Sequence, residues 1–477
     1  MTRTDRLGVR APLPWLLAFI AASTVGVVLS AVVASGRPIL ASRWSLLWQL
    51  AAWAVAWIVA VVAAFHLPRR TAVAGALLAG TALRLAALAG PPTTSDDLYR
   101  YSWDGRVQAA GVDPYRAAPE SATLAGLREP WLWPGAAGCA DIHRPPGCTR
   151  INRPGQRTIY PPVAEAWFAT VYRVAGIGSR YKAWQVAGLL TEAAVLALLP
   201  VALGRWRRDP RWVALYALCP APVLEVVNNG HVDGLAVLCM VAALAVAAGS
   251  DPRGAVARDV VAGALIGAAA LVKLYPAVLV LALVGVGTRS WVSVARAGVA
   301  GVVVVAVAYA QHVARVGVHV LGYLPGYLRE EHYTTGGRFL LASLVRVPHG
   351  PAAWVSAAFV IAACTSVLWR RPPAPAAAAL LLGAVLLAAS PVQPWYAVSL
   401  LAVATVAGQP WWAGVAVAGY PYFFAVILAD RHAVGIGQVA YGMACALAVL
   451  GAALAARPSR PRDQRVTSGA TSTTLLS

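Results

Sequence analysis

The chain alternates long apolar runs with short polar connections from residue 13 to residue 456. A helix needs roughly 20 apolar residues to cross a bilayer, and runs of about that length recur throughout this interval. The pattern predicts an all-α polytopic membrane protein whose first helix, residues 13–34, is retained and not removed as a signal peptide. We expect one integral membrane domain over residues 1–456 and a disordered cytoplasmic tail over residues 457–477.

The composition agrees with this prediction, because 59% of the 477 residues are hydrophobic and only 12% are charged. The net charge of +20 comes from arginines spread over short loops, which does not indicate a nucleic-acid-binding face. If the short loops that carry these arginines are cytoplasmic, the chain has about twelve to fourteen transmembrane helices with both termini inside. Four stretches, residues 212–227, 258–272, 275–288 and 395–408, are short for full crossings, so we expect some of them to be broken or re-entrant.

The polar loops are distributed very unequally between the two sides of the membrane. On this topology the cytoplasmic loops are all short, and none has room for a nucleotide-binding domain or a glycine-rich phosphate loop. The extracytoplasmic side carries a large loop at about residues 91–180 and a second loop at about residues 313–350, with short turns at NNGHVDG, KLYP and SPVQPWY. We expect these external segments to converge over the membrane surface.

Two of the six cysteines, Cys139 and Cys148, bracket the segment GCADIHRPPGC in the large external loop. Oxidation is permitted on that side of the membrane, so a disulfide between them is predicted. A metal site that uses Asp141 and His143 is the alternative interpretation.

The segment TTSDDLYRYSWDGRV follows an apolar run and concentrates charge beside the membrane. Thr94 and Asp97 have the spacing of a capping box and Gly111 can end a helix, so a helix is predicted over residues 95–110. Its aromatic residues suit a helix that lies on the lipid surface. These are Tyr99, Tyr101 and Trp103.

The adjacent carboxylates Asp96 and Asp97 allow two interpretations. In the first they only cap the helix and complement its dipole, while Asp97, Arg100 and Asp104 pair along one face. In the second, one carboxylate pairs with an arginine and the other remains available as a base. The second interpretation accounts better for two carboxylates where one is enough for a cap.

Three other external segments carry polar groups. Asn152 and Arg153 precede a Tyr-Pro-Pro turn and suit an anion or sugar hydroxyls, although a purely structural loop fits equally well. The turn with Asn228, Asn229, His231 and Asp233 suits a polyhydroxylated ligand, and a solvated helix hairpin is the alternative. Lys273, at a helix break in LVKLYPAV, is a natural partner for a lipid phosphate, unless it only snorkels to the interface.

These motifs, in the order DDLYRYSWDGRVQAAGVDPY, TIYPPVAEAWF, GHVDGLA, KLYP and PWY, resemble the GT-C glycosyltransferases that use polyprenyl-phosphate sugars. The closest likeness is to bacterial polyprenol-phosphate-mannose-dependent mannosyltransferases. The resemblance implies a GT-C-like bundle in the plasma membrane, a polyprenyl-phosphate sugar donor, a glycan or glycolipid acceptor on the extracytoplasmic face, and transfer of mannose with inversion. It assigns the catalytic base to Asp96 or Asp97.

The sequence departs from this family in two places. Three predicted spans precede the acidic motif, which commonly follows the first span, and Gln393 stands where many relatives have histidine before Pro-Trp-Tyr. No cofactor is expected, and a divalent metal is not indicated. The candidate substrate-binding residues are the polar and aromatic side chains of the external segments: Tyr99, Arg100, Trp103, Asp104, Arg106, Asn152, Arg153, Tyr160, Asn229, His231, Asp233, Lys273, Tyr275, Arg338, Gln393, Trp395 and Tyr396.

Two other functions remain open. A transporter or flippase of a lipid-linked sugar would use the external aspartates as a gate or ion site. A ligase or polymerase would move a longer glycan from its lipid carrier. The sequence shows no inverted pair of broken helices, which disfavours the transporter.

Overall fold

A computed structural model describes residues 13–42, 44–142, 144–176, 178, 180–249, 252–285 and 291–455. His143 and the predicted tail after residue 456 lie outside these ranges. Within them the chain is helical and contains no strand, so the all-α prediction is confirmed. The α-helices are α1 Leu13–Ser35, α2 Ile39–Ser42, α3 Trp44–Phe65, α4 Arg69–Ala86, α5 Asp97–Ala109, α6 Ala136–Asp141, α7 Pro162–Ala175, α8 Tyr181–Arg205, α9 Val213–Ala217, α10 Pro220–Pro222, α11 Asp233–Ala247, α12 Ala255–Ala270, α13 Trp291–Val316, α14 Leu324–Glu330, α15 Leu340–Leu344, α16 His349–Arg370, α17 Ala374–Ala388, α18 Tyr396–Ala407, α19 Ala413–Ile427 and α20 Ala433–Ala455.

Seven helical segments of the described chain are long and apolar enough to cross a membrane, by length and composition. They are α1, α3, α4, α8, α13, α16 and α20, of which α4 and α13 are extended by further helical turns to Ala89 and Glu330. Shorter apolar helices include α11, α17 and α18. The protein is therefore a multi-span membrane protein, and the number of about twelve to fourteen crossings stays a prediction.

The stretches that are too short for simple spans are broken or short helices in the structure. The first consists of α9, α10 and a π-helical turn at Val223–Asn228. Pro220 and Pro222 lack backbone N–H donors, which explains why a continuous α-helix does not form there. Tyr275–Gly285 is a 3₁₀ segment, and α18 has only 12 residues. This irregular backbone leads directly into the external turns that carry the polar motifs.

The membrane-embedded charges Arg84 and Glu192 neutralise each other. Arg84 donates from Nε and Nη2 to Glu192 Oε2 at 3.0 and 2.7 Å, and their side chains are 1% and 0% exposed. Tyr216 donates to the other Glu192 oxygen at 2.7 Å. Arg84 Nη1 donates to the carbonyls of Gly80 and Ala217. This network joins α4, α8 and α9, so it fixes the bundle from which the external loops emerge.

Helices α5 and α7 of the large external loop pack closely together. A Cβ atom on Gly105 would lie 2.5 Å from the carbonyl oxygen of Phe168, so only glycine allows this approach. The rings of Tyr101 and Phe168 stack at 4.3 Å. Pro161 and Pro162 stand at the N-cap and first position of α7, as expected for its entry. The close packing of these two helices holds the N-terminus of α5 in place.

The prediction of a helix over residues 95–110 is confirmed to within two residues, since α5 spans Asp97–Ala109 and Gly111 follows with a φ of +79°. The predicted capping box is wrong. Asp96 is the N-cap, and Thr94 Oγ1 instead accepts a hydrogen bond from Asn229 Nδ2 at 2.6 Å. Thr94 is occupied by another external turn, which local spacing does not reveal.

The prediction that the rings of α5 lie on the lipid surface is also wrong for two of the three. Tyr101 and Trp103 are 0% and 1% exposed. Trp103 belongs to a small apolar cluster with Val107, Leu124, Leu132 and Ile151. The large external loop has its own apolar core, which buries Trp103, whereas Tyr101 is buried in the main core of the protein.

We predict that Glu192→Gln lowers the free energy of unfolding by about 3–5 kcal/mol, because the buried Arg84 guanidinium loses its counter-ion. Thermal unfolding of the purified protein in detergent measures the effect. The paired replacement Arg84→Met with Glu192→Leu removes both charges and should restore most of the stability. Equal unfolding temperatures for wild type and Glu192→Gln would contradict the role given to this pair.

Candidate active site

The segment that precedes α5 is held by the turn between the π-helical segment and α11. Asn229 Oδ1 accepts hydrogen bonds from the amides of Thr93 and Thr94, each at 3.1 Å. Asn228 Oδ1 also accepts from the Thr93 amide, at 3.0 Å. Asn228 and Asn229 are 1% and 0% exposed. The structure thus places Asn229, a predicted sugar-binding residue, in contact with the backbone that positions Asp96 and Asp97.

The carboxylate of Asp97 accepts hydrogen bonds from two neutral side chains. Asn152 Nδ2 donates to Oδ1 at 2.6 Å, and Tyr160 donates to Oδ2 at 3.3 Å. His231 Nδ1 lies 3.7 Å from Oδ2, and 17% of the Asp97 side chain is exposed. Asp97 is therefore oriented from three sides and remains partly exposed.

Asp96 has a different environment. It accepts a hydrogen bond from Asn152 at 3.2 Å, and Arg144 Nη2 lies 3.6 Å from its Oδ2. Its side chain is 41% exposed, and that of Arg144 is 42% exposed. Partial burial and the charge of Asp97 raise the pKa of Asp96, while Asn152 and Arg144 oppose the shift. One aspartate is thus paired with an arginine and its neighbour is held by neutral groups.

His231 lies beneath Asp97. Its ring stacks on Trp395 with a centroid distance of 4.1 Å, and Tyr101 lies 3.4 Å from Nδ1. Nε2 lies 3.5 Å from Glu225 Oε2. Burial lowers the pKa of His231 to about 3, although the Asp97 charge opposes this shift. The imidazole is neutral at physiological pH, and the motifs GHVDG and PWY meet at this ring.

Lys273 also contacts residues of several motifs that are distant in sequence. Its ammonium nitrogen lies 3.5 Å from Asp233 Oδ2 and 5.2 and 4.9 Å from the ring centres of Tyr160 and Tyr396. Asp233 is fully buried, whereas 13% of the Lys273 side chain is exposed. Tyr275 hydrogen-bonds to Ser399 at 2.9 Å and so supports α18. The predicted convergence of the external segments is present in the structure.

The remaining candidates on α5 support the large loop. Arg100 pairs with Asp104 at 2.9 Å, and its Nη1 donates to the carbonyl of Gln156. Asp97 does not join this pair, because its oxygens are turned to Asn152 and Tyr160. Arg106 donates to the carbonyl of Leu127 and to the hydroxyl of Tyr172. Trp103 lies in the apolar cluster described above.

Glu165 is a buried carboxylate that sequence reasoning missed. It accepts hydrogen bonds from Thr158 at 2.6 Å and from Gln108 at 2.8 Å, and it is 0% exposed. Burial and the nearby Asp104 raise its pKa well above the usual range. Only its place in the motif TIYPPVAEAWF pointed to it, and an acidic residue in an amphipathic helix normally faces water.

The second external loop carries the candidate Arg338 and contacts Arg153 of the large loop. Arg153 forms an ion pair with Glu330 at the end of α14, and Arg338 pairs with Glu331 and donates to the carbonyl of Pro391. Arg338, Glu331 and Gln393 line a cavity of about 110 Å³ with the apolar side chains of α19. This cavity does not include Asp96 or Asp97 among its lining residues. Arg338 and Gln393 thus form a neighbouring polar region.

Cys139 and Cys148 form a disulfide. Arg144, which sequence reasoning also missed, lies inside this closed loop and faces Asp96. Its Nη1 donates to the carbonyl of Thr149. The disulfide and this bond together hold a cation at the edge of the site. Within the described ranges, no three His, Cys, Asp or Glu side chains are grouped as a metal site.

We predict that replacing Cys139 and Cys148 together by serine destabilises the loop by about 2–3 kcal/mol, because the closed ring no longer restricts the unfolded loop. Limited proteolysis of the purified protein should then cut within residues 136–152, where wild type is resistant. Arg144→Gln is the matched control, since it removes the contact with Asp96 and keeps the disulfide. Equal resistance of the double-serine variant and wild type would contradict this role of the disulfide.

Comparison with known families gives one match. The model of Glycosyltransferase family 87 matches residues 158–394, about half of the chain. No curated protein and no solved structure matches the chain. The matched segment includes Tyr160, His231 and Lys273, and the acidic pair at residues 96 and 97 precedes it. Through residues 158–394 the chain belongs to glycosyltransferase family 87, and it is a multi-span membrane glycosyltransferase.

Proposed function

We propose that the protein transfers a sugar, most simply mannose, from a polyprenyl-phosphate donor to a glycan or glycolipid acceptor. The reaction takes place on the extracytoplasmic face of the plasma membrane and inverts the anomeric centre. The environment of Asp97 is the observation that carries the proposal. Mannose and the polyprenyl phosphate follow from the resemblance of the external motifs, since none of the contacts distinguishes one sugar from another.

Asp97 suits the role of general base better than Asp96 does. Its two oxygens are oriented by Asn152 and Tyr160, so a lone pair is held in a defined direction. In the part of the chain that the structure describes, no arginine or lysine forms an ion pair with Asp97, whereas Asp96 lies 3.6 Å from Arg144. The side chain of Asp96 is 41% exposed and held less firmly than that of Asp97, so orientation decides between them. Asp96 thus keeps Arg144 in place while Asp97 reacts.

The reaction balances as a single displacement. Asp97 takes the proton of the acceptor hydroxyl as that oxygen forms a bond to the anomeric carbon. The bond from this carbon to the donor phosphate breaks, and its electron pair leaves with the phosphate. The phosphate monoester needs no proton from the protein, so one base and a cationic contact are sufficient.

Two cations border the site and suit the developing phosphate charge. Lys273 lies between the rings of Tyr160 and Tyr396 and is partly exposed. Arg144 is 42% exposed at the other edge. Positioned cations at the place where charge develops stabilise a transition state strongly. A donor dissolved in the bilayer would reach this site without a soluble nucleotide-binding domain.

We expect Asp97→Asn to lower the transfer rate by about 10²–10⁴-fold, because the amide cannot accept the proton of the acceptor hydroxyl. Asp96→Asn is the matched control and should retain more activity, within about tenfold of wild type. Membranes supplied with radiolabelled polyprenyl-phosphate mannose and extracted acceptor lipids provide the assay. Binding of the donor should persist in both variants.

Other outcomes of this assay would assign the base differently or indicate a different function. Loss of transfer in Asp96→Asn alone would move the base to Asp96. Full transfer in both single variants would exclude a role of this acidic pair as the base. Movement of the labelled lipid across the membrane without transfer of its sugar would identify a transporter or flippase instead.

The cationic contacts also give an expectation about metals. We predict that EDTA leaves the transfer rate unchanged within about twofold, because Lys273 and Arg144 supply positive charge at the phosphate. The assay is the same, on membranes washed with the chelator. A loss of activity that Mg²⁺ or Mn²⁺ restores would show that a divalent ion replaces this cationic contact.

A further inference from the structure

His231 lies between two carboxylates. Nδ1 is 3.7 Å from Asp97 Oδ2, and Nε2 is 3.5 Å from Glu225 Oε2. The residue is 2% exposed, and its side chain is fully covered. Both ring nitrogens are therefore directed at protein groups, and one of these groups is the proposed base.

Glu225 encloses the imidazole on the side opposite Asp97, although Nε2 makes no hydrogen bond to it. Glu225 accepts hydrogen bonds from Tyr420 at 2.7 Å and from Asn229 at 3.0 Å, so its own carboxylate is immobilised. The amide of His231 donates to the carbonyl of Glu225 at 3.0 Å. The ring face lies on Trp395 with an interplanar angle of 17°. The imidazole has no room to turn without losing one of these contacts.

We propose that His231 is a positioning residue for Asp97: its ring is stacked on Trp395 and turns Nδ1–H toward the reacting carboxylate. This inference rests on the proposed function, and it adds a role for a residue that the motif GHVDG suggested only as a sugar ligand. No proton passes beyond Asp97. The neutral imidazole restricts the direction of the carboxylate before the proton arrives and remains beside it afterwards.

The burial of His231 argues against direct contact with the sugar. A ligand that used Nδ1 would displace Asp97, and one that used Nε2 would displace Glu225 from a fully covered position. The ring face is already occupied by Trp395. Replacing a residue that binds the sugar raises KM. Replacing a residue that positions the base lowers kcat with little effect on KM.

Two substitutions separate the two ring nitrogens. His231→Asn places an amide near the position of Nδ1 and retains a polar atom toward Asp97. His231→Gln places its amide near the position of Nε2 and retains contact with Glu225 only. We expect His231→Gln to lower kcat by about 10–100-fold, because a displaced reacting group costs this much even for small shifts. His231→Asn should restore most of that loss, and KM for the donor should stay within about twofold in both.

His312→Gln is the control for burial and packing. His312 is also buried, and its Nδ1 lies 2.7 Å from Asp113 Oδ2. Neither residue has a proposed role in catalysis. This variant should lose stability while kcat per folded molecule stays at the wild-type level. The assay is the transfer reaction above, and rates are normalised to the protein that elutes as folded in size-exclusion chromatography.

The outcomes separate this inference from the proposed function. If Asp97→Asn is inactive and His231→Gln has wild-type kcat, the positioning role is overturned and the proposed function stands. A raised KM with unchanged kcat in His231→Gln also overturns the positioning role and would make His231 a substrate-binding residue. Equal loss in His231→Asn and His231→Gln would reduce the residue to a packing role. If Asp97→Asn keeps full activity, the proposed function itself fails.

Discussion

The contact between Asn229 and the backbone of Thr93 and Thr94 determines the geometry of the external site. Amide groups before a helix have no partners within the helix, and buried amides must be paired. Asn229 pairs two of them with one side-chain oxygen and donates its own amide to Thr94 Oγ1 and to Glu225. The start of α5 is therefore set by a turn more than one hundred residues away in the chain.

This contact links Asp97, the proposed base, to its surroundings. Asp97 begins α5, and Glu225 and His231 flank Asn229 in sequence. The residue that fixes the loop thus lies in the turn that brings His231 to Asp97. A shift in this turn would move the carboxylate and the imidazole together, so their separation would be preserved.

Much of the fold follows from the sequence because the length of an apolar run and the residues that begin or end a helix are local properties. The long spans, the broken stretch near Pro220 and the bounds of α5 were all predictable from runs of residues and their spacing. The convergence of the external motifs also followed, since a membrane restricts where polar turns can lie. The disulfide partners Cys139 and Cys148 stood close together in the sequence, in a loop predicted to lie on the oxidising side.

The failures concern contacts between distant segments. Thr94 has the correct spacing for a capping box, but Asn229 offers its hydroxyl a partner that spacing does not show. Tyr101 and Trp103 look amphipathic in sequence, yet the core of the external loop buries Trp103 and the main core of the protein buries Tyr101. Arg144 is an ordinary loop arginine until the disulfide turns it toward Asp96. The sequence indicated which residue types take part, but it did not predict which residues they contact.

The difference between Asp96 and Asp97 also arises from contacts with distant segments. In sequence the two carboxylates are equivalent neighbours, and no property of either residue selects the base. Their difference arises because consecutive residues at a helix start point in different directions, one toward Arg144 and the other toward Tyr160 and His231. The helix start thus converts two like charges into a paired acid and an oriented one. If Asp97 is the base, two adjacent aspartates at this position provide what a single aspartate would not: a fixed cation and a base in the same turn.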